Sequence, residues 1–143
     1  MSLSHFQAEF KKMMNRDYFS AKIHPMRQDA FSKFMNTGLP TQKWEDWRFA
    51  NLSQIQNKEF QISEKKDAPN SPILLDPYKI DDVATIVIYN GHFQEKISLI
   101  PDGVQLLSGI EYFDRKNSKI ECAGYSPFDY LNTAFMDSGM CVL

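Results

Sequence analysis

The chain has 143 residues, 43% hydrophobic, 13% aromatic and 24% charged, an ordinary globular composition on a length that suits one domain and can bury a core. Sixteen Lys and Arg against eighteen Asp and Glu leave a formal charge of −2, so no net basic field draws the chain onto a phosphate backbone, which argues against a dedicated nucleic-acid binder. Cys122 and Cys141 make no disulfide framework, no secretory signal is visible, and the longest apolar run, around Ile86 to Tyr89, falls far short of the roughly 20 residues that span a bilayer; a soluble protein of the reducing cytoplasm is expected.

Leu3, Phe6, Phe10, Met13 and Met14 recur at the spacing of one helical stripe and predict a helix from Leu3 to about Tyr18, with Lys11, Lys12, Asn15 and Arg16 on its other face. A basic amphipathic helix of this kind can lie on an anionic membrane or in a partner's groove; packing on its own domain or a partner subunit is the simpler reading. Pro25 suits the first position of a second helix, along which Met26, Ala30, Phe31, Phe34 and Met35 share a face. Gly38 is expected to end it in the left-handed conformation. Leu39 would then pack back on Phe34, and Pro40 prevents resumption.

Thr41 to Leu52 carries a capping hydroxyl at Thr41, acids early at Glu45 and Asp46, and Arg48 later, the charge order of a short helix. Trp44 and Trp47 are read there as core or interface anchors, because no convergent polar set accompanies them as a ligand cage requires. Ser63 to Pro72 is polar, contains two prolines and reads as a loop or linker.

Beyond it the period changes. Thr85 to Tyr89 is a β-branched run, and Asn90-Gly91 is the dipeptide of tight hairpin turns. Phe93, Glu95, Ile97 and Leu99 alternate with His92, Gln94, Lys96 and Ser98. Pro101-Asp102-Gly103 predicts a further turn and Val104 to Leu107 another strand. A last helix is announced by Ser126 as cap, Pro127 at the first position and Asp129 three residues after the cap, with Phe128, Leu131 and Phe135 on one face and Gly139 expected to close it. Met140 to Leu143 looks like a strand cut as it begins. The expected class is α+β: helical over residues 1–62, a polar loop over 63–82, and a strand-rich segment with a terminal helix over 83–143.

Catalytic signatures are missing. No glycine-rich turn of the nucleotide-binding kind joins a strand to a helix. Cys122, Cys141, His5, His24 and His92 are too scattered for a zinc or iron–sulfur ligand set, and His92 with one cysteine is no more than a chance pair for nucleophilic catalysis. Glu45 and Asp46 are adjacent, so on a helix they point about 100° apart and cannot flank one bond.

Four strings in order carry a resemblance: Thr-Gly-Leu-Pro-Thr-Gln-Lys-Trp-Glu-Asp-Trp-Arg-Phe-Ala-Asn-Leu (Thr37 to Leu52), Val-Ile-Tyr-Asn-Gly (Val87 to Gly91), Ile-Pro-Asp-Gly-Val (Ile100 to Val104), and Ser-Pro-Phe-Asp-Tyr-Leu-Asn-Thr-Ala-Phe (Ser126 to Phe135) with Gly139 trailing. Together they resemble the N-terminal part of the SufD family, the scaffold subunit of SUF iron–sulfur cluster assembly. The resemblance implies a helical N-terminal region leading into a right-handed parallel β-helix, then a helical C-terminal region that docks the ATPase subunit SufC, with SufB as the related partner. It also implies that this chain is an N-terminal fragment in which that β-helix has only begun. The family's docking and cluster-assembly residues fall in its later regions, so no catalytic, cofactor-binding or metal-ligating residue is carried over. At Ala50 the family often has a hydroxyl residue, and Trp44 occupies a variable position.

The leading expectation is therefore a non-catalytic scaffold subunit, without a cofactor in this stretch, acting with SufB-like and SufC-like subunits and with neither nucleic acid nor membrane. An independent interaction module, using the first helix to bind a partner or a second copy of itself, is the alternative. A small metal- or cysteine-dependent enzyme built on Cys122, Cys141 or His92 is the third.

Overall fold

The structure, a computed structural model, describes residues 3–16, 21–68, 80, 83–115, 124–136 and 139–143. Helix α1 (Ser4–Met14) forms where the stripe predicts it; Tyr18 lies outside the described residues. A 3-10 turn at Ala21–Ile23 leads into α2 (His24–Thr37), with Pro25 in its first turn, where a missing N–H leaves no hydrogen bond unmade. The apolar stripes of the two helices face each other. Phe6 meets the Phe34 ring edge-on at 5.2 Å, and Phe10 stacks on Phe31 at 4.0 Å between centroids. Because the lower-numbered residue of α1 pairs with the higher-numbered one of α2, the helices run antiparallel. The stripe of α1 thus packs on its own domain, the simpler of the two readings.

The last helix, α5 (Pro127–Ala134), completes the core from the far end of the sequence. Phe135 sets its ring edge against Phe10 at 5.8 Å and Phe31 at 6.2 Å. Ala30 and Ala134, both fully buried, let α2 and α5 approach closely, and these two helices share the most extensive contact between elements. Such offset and edge-on ring pairs contribute about 0.5–1.5 kcal/mol each beyond the area they bury. The start of α5 is the expected capping box: the Ser126 hydroxyl accepts from the Asp129 N–H at 3.2 Å, and the Asp129 carboxylate accepts from the Ser126 N–H at 3.0 Å. Bonding to Ser126, first through its side chain, holds the Asp129 carboxyl below its ordinary range.

Gly38 ends α2, but not in the expected left-handed well. Its φ of 70° is combined with a ψ of −173°, and its N–H closes on the Phe34 carbonyl at 2.7 Å. That extended positive-φ region is accessible essentially to glycine alone. Leu39 is thereby turned into the core beside Phe34, as the sequence suggests. An ideal Cβ at Gly38 would meet nothing within 4 Å, so Gly38→Ala is expected to destabilise through backbone strain alone, by about 1–3 kcal/mol. Gly38→Asn should not rescue it, as it would at a true left-handed cap. Urea denaturation of the two variants checks this, and recovery with asparagine would contradict the backbone assignment.

Thr41 to Leu52 departs from the helix expected there. Backbone bonds from Trp44 to Thr41, Trp47 to Trp44 and Ala50 to Trp47 all close three residues back, and the only helical element is a 3-10 turn at Glu45–Trp47. Tertiary packing overrides local propensity here. Trp47 is drawn onto Phe128 of α5, at 5.1 Å, while Phe49 stays 88% exposed with the Arg48 guanidinium over its ring. One further turn, α3 (Ser53–Gln56), follows.

In the strand-rich part, β1 (Ile88–Tyr89) pairs antiparallel with β2 (His92–Phe93) across Asn90-Gly91, whose φ values of 48° and 84° are those of the expected tight hairpin. The alternation after Phe93 does not continue as strand. A 3-10 turn at Glu95–Ile97 interrupts it, and pairing resumes only at a bridge between Thr85 and Leu99. Burial is also inverted: His92 and Gln94 are buried, whereas Leu99 is 60% exposed.

Strand β3 (Leu106–Ser108) is followed at once by α4 (Gly109–Arg115) and pairs antiparallel with β4 (Met140–Val142). The apolar run at the end of the sequence is thus a paired strand. Gly139 does not close α5, which ends at Ala134 with Phe135 as its cap; the Gly139 carbonyl instead accepts from the Gly109 N–H at 2.8 Å beside the β3–β4 pair. Among the described residues no parallel rung is seen: both described sheets are two-stranded and antiparallel. A two-residue turn such as Asn90-Gly91 can join only antiparallel neighbours, parallel pairing needing a long crossover. The observed class is mixed helix with small antiparallel sheets.

Candidate functional site

An apolar groove of about 410 Å³ lies between α1, α5 and the segment after α3. Phe6 and Glu9 come from α1, Phe128, Leu131, Asn132 and Phe135 from α5 and its cap, and Ile55, Phe60, Gln61 and Ile62 from the third side. The aromatic spacing of α1 and α5 that builds the core thus also builds the groove. Among its described lining residues the one ionisable side chain is Glu9.

Glu9 lies on the buried face of α1, in register with Phe6, Phe10 and Met13. Burial of a carboxylate is tolerable only with partners. Here Lys12 donates to Oε1, and the Ile62 N–H donates to Oε2 at 3.0 Å. The Lys12 hydrogen bond first, then the Ile62 N–H, holds the Glu9 carboxyl below its ordinary value. Because the folded value is the depressed one, the stabilisation is present above the usual glutamate range and is lost as pH falls through the folded value. The Ile62 amide resonance is therefore expected to shift with a midpoint on the acid side of that range, as an NMR titration would record. A midpoint at or above it would contradict the contact.

Beyond Ile62 the polar stretch is held by side chains rather than by a ladder. Arg16 Nη1 donates to the Ser63 carbonyl at 2.8 Å. Gln94 imitates a strand neighbour: Oε1 accepts from the Ala68 N–H at 2.8 Å, and Nε2 donates to the Lys66 carbonyl at 3.2 Å. This explains the inverted burial along residues 92–99, since the polar side chains face the backbone of residues 63–68. Lys96 pairs with Asp67 at 2.9 Å in solvent, which raises the Lys96 ammonium pKa.

His92 belongs to the same network. The Ser63 hydroxyl donates its proton to the Asn90 carbonyl at 2.8 Å, so its contact with His92 Nε2 at 3.1 Å requires Nε2 to be the donor. A serine nucleophile needs the reverse polarity, its proton passing to the histidine. The arrangement ties two segments together and does not activate the hydroxyl.

The other candidates do not converge. Cys141 is a half-buried free thiol on β4, and Cys122 lies outside the described residues. His5 and His24 sit at the starts of α1 and α2, while Glu45 and Asp46 are exposed on the 3-10 turn. Among the described residues no three His, Cys, Asp or Glu side chains are placed to hold a metal ion, and no helix is long and apolar enough to cross a membrane. Glu9, Arg27 and Gln94 escape a reading by residue type. A charged or polar residue on an apolar stripe was the available signal for the first two, since Arg27 shares the spacing of Ala30, Phe31 and Phe34.

The family model for the SufBD protein N-terminal region matches residues 2–142. A comparison with curated proteins finds no match. The SufBD family takes part in iron–sulfur cluster assembly, in complexes with other SUF subunits. Matched over nearly all of its length, this chain belongs to the SufBD family, in the N-terminal region of those proteins.

Proposed function

We propose that the protein is a scaffold subunit of the SufD kind in a cytoplasmic SUF complex, acting beside SufB-like and SufC-like subunits. The observation that carries this reading is the family match over residues 2–142 together with the four SufD-like strings in order. Those strings fall where they shape the backbone: Gly38 at the end of α2, Asn90-Gly91 in the hairpin, and Ser126 to Asp129 in the capping box. The reading assigns this stretch a structural part and gives it no catalytic residue, resident cofactor or metal ligand; His92, Cys122 and Cys141 carry no chemistry in it.

The test is co-expression of the full gene product with SufB-like and SufC-like subunits, one of them tagged, together with deletion of the gene. Co-elution of the three and lowered activity of iron–sulfur enzymes in the deletion strain are expected. A gene product that elutes alone, with those enzymes unaffected by its loss, overturns the proposal.

A further inference from the structure

Residues 60–68 have no helix or strand of their own, yet both ends are gripped by side chains reaching in from elsewhere. Glu9 of α1 and Arg16, two residues past its end, hold Ile62 and Ser63. Gln94, two residues past the hairpin turn's His92, holds Lys66 and Ala68. Little apolar burial assists, since Phe60 is 46% exposed and Ile62 only half-buried. Where a segment has few buried apolar contacts, its polar grips decide whether it opens locally. Phe60, Gln61 and Ile62 are also the third wall of the aromatic groove, facing Phe6 and Leu131.

We propose that residues 60–68 form a hinged strap, fixed at Ser63 by Arg16, Asn90 and His92 and at Lys66 and Ala68 by Gln94, with Glu9 as the latch on its free end at Ile62, and that release of the latch opens the aromatic groove between α1 and α5. The two ends differ in kind. Gln94 makes two neutral bonds in a peptide-like pair, which resists rotation about either one. Glu9 makes one charge-assisted bond to the strap backbone, and such a bond is roughly twice as strong as a neutral one but depends on the carboxylate charge. Loss of that charge therefore frees Ile62 while leaving Ser63, held by Arg16, Asn90 and His92, and Ala68, held by Gln94, clamped. The wall formed by Phe60 to Ile62 then swings outward about the fixed Ser63, and the rings beneath become accessible.

The experiment compares the full protein with its Glu9→Gln and Gln94→Ala variants by amide hydrogen exchange and by fluorescence of 1-anilinonaphthalene-8-sulfonate. In Glu9→Gln, exchange at Ile62 should rise on the order of tenfold, with Ala68 and the α2 amides from Ala30 to Phe34 unchanged and dye fluorescence increased. In Gln94→Ala, exchange at Ala68 should rise while Ile62 stays protected. Unchanged exchange at Ile62 in Glu9→Gln overturns the latch. An equal rise throughout α2 overturns the local opening, and a faster Ile62 without added dye binding overturns the link to the groove.

Discussion

Replacing Phe34 with alanine is expected to cost about 3–5 kcal/mol, the range for truncating a fully buried phenylalanine. Phe34 has no solvent exposure, presents its ring to Phe6 at 5.2 Å, and sits beside Phe31, Leu39 and Ala134 in one contiguous cluster. Its removal deletes apolar contacts and leaves a cavity in the layer where α1 meets α2. It also loosens the packing of Leu39, which belongs to the same buried cluster. Domains of this size are stable by about 5–15 kcal/mol in total, so the loss is a large fraction. Equilibrium urea denaturation followed by tryptophan fluorescence measures it, since Trp47 reports on the α5 surface through Phe128. Phe34→Leu, which keeps most of the volume, should cost much less. An alanine variant within about 1 kcal/mol of the parent would show that the site collapses and that the core is not packed as described.

The second large effect is expected at Arg27, the only charged residue among the largest fully buried side chains of the described residues. Its Nε donates to the Ala134 carbonyl at 3.1 Å, so a residue of α2 satisfies one of the carbonyls that α5 leaves unpaired in its last turn. The guanidinium charge also complements the negative end of that helix. A hydrogen bond from a charged donor contributes about 1.5–3 kcal/mol, and the carbonyl left behind in a buried site adds its own desolvation cost. Arg27→Ala, which also opens a void, is expected to lose about 3 kcal/mol or more. Arg27→Met keeps much of the volume and removes only the polar part, so its loss should be smaller, and the difference between the two isolates packing from hydrogen bonding. Amide exchange in the last turn of α5 should accelerate in both. A stable Arg27→Met with an unperturbed α5 would show that the guanidinium serves the fold less than its burial suggests.

Both residues illustrate how far the sequence could be read. Phe34 is legible from period alone, because Phe31 and Phe34 recur with Ala30 at helical spacing. Arg27 shares that spacing, yet nothing local says that a charge on the stripe will be buried; its partner carbonyl lies at Ala134, on the other side of the sequence. The capping box at Ser126 and Asp129 was legible because cap and partner are three residues apart. The same device starts α4, where Glu111 accepts from the Ser108 N–H at 2.8 Å and lowers its own pKa in doing so. Ser108-Gly-Ile-Glu111 is the Ser-x-x-Glu pattern, and it signals a helix that a reading of hydrophobic period alone passes over.

By itself, then, the sequence determined what depends on near neighbours: the stripes of α1 and α2, the Asn90-Gly91 hairpin, the start of α5, and the ordered strings that mark a SufBD N-terminal region. These follow from helical period, turn stereochemistry and caps, which act over a few residues. Tertiary structure alone decided what depends on distant partners. It placed α5 on α2, drew Trp47 out of a local helix onto Phe128, turned Gln94 inward to the backbone of Lys66 and Ala68 and His92 to the Ser63 hydroxyl, and paired β4 with β3. The physical reason is that a buried polar group or an aromatic ring must find its partner in space, and chain spacing does not specify which distant segment supplies it.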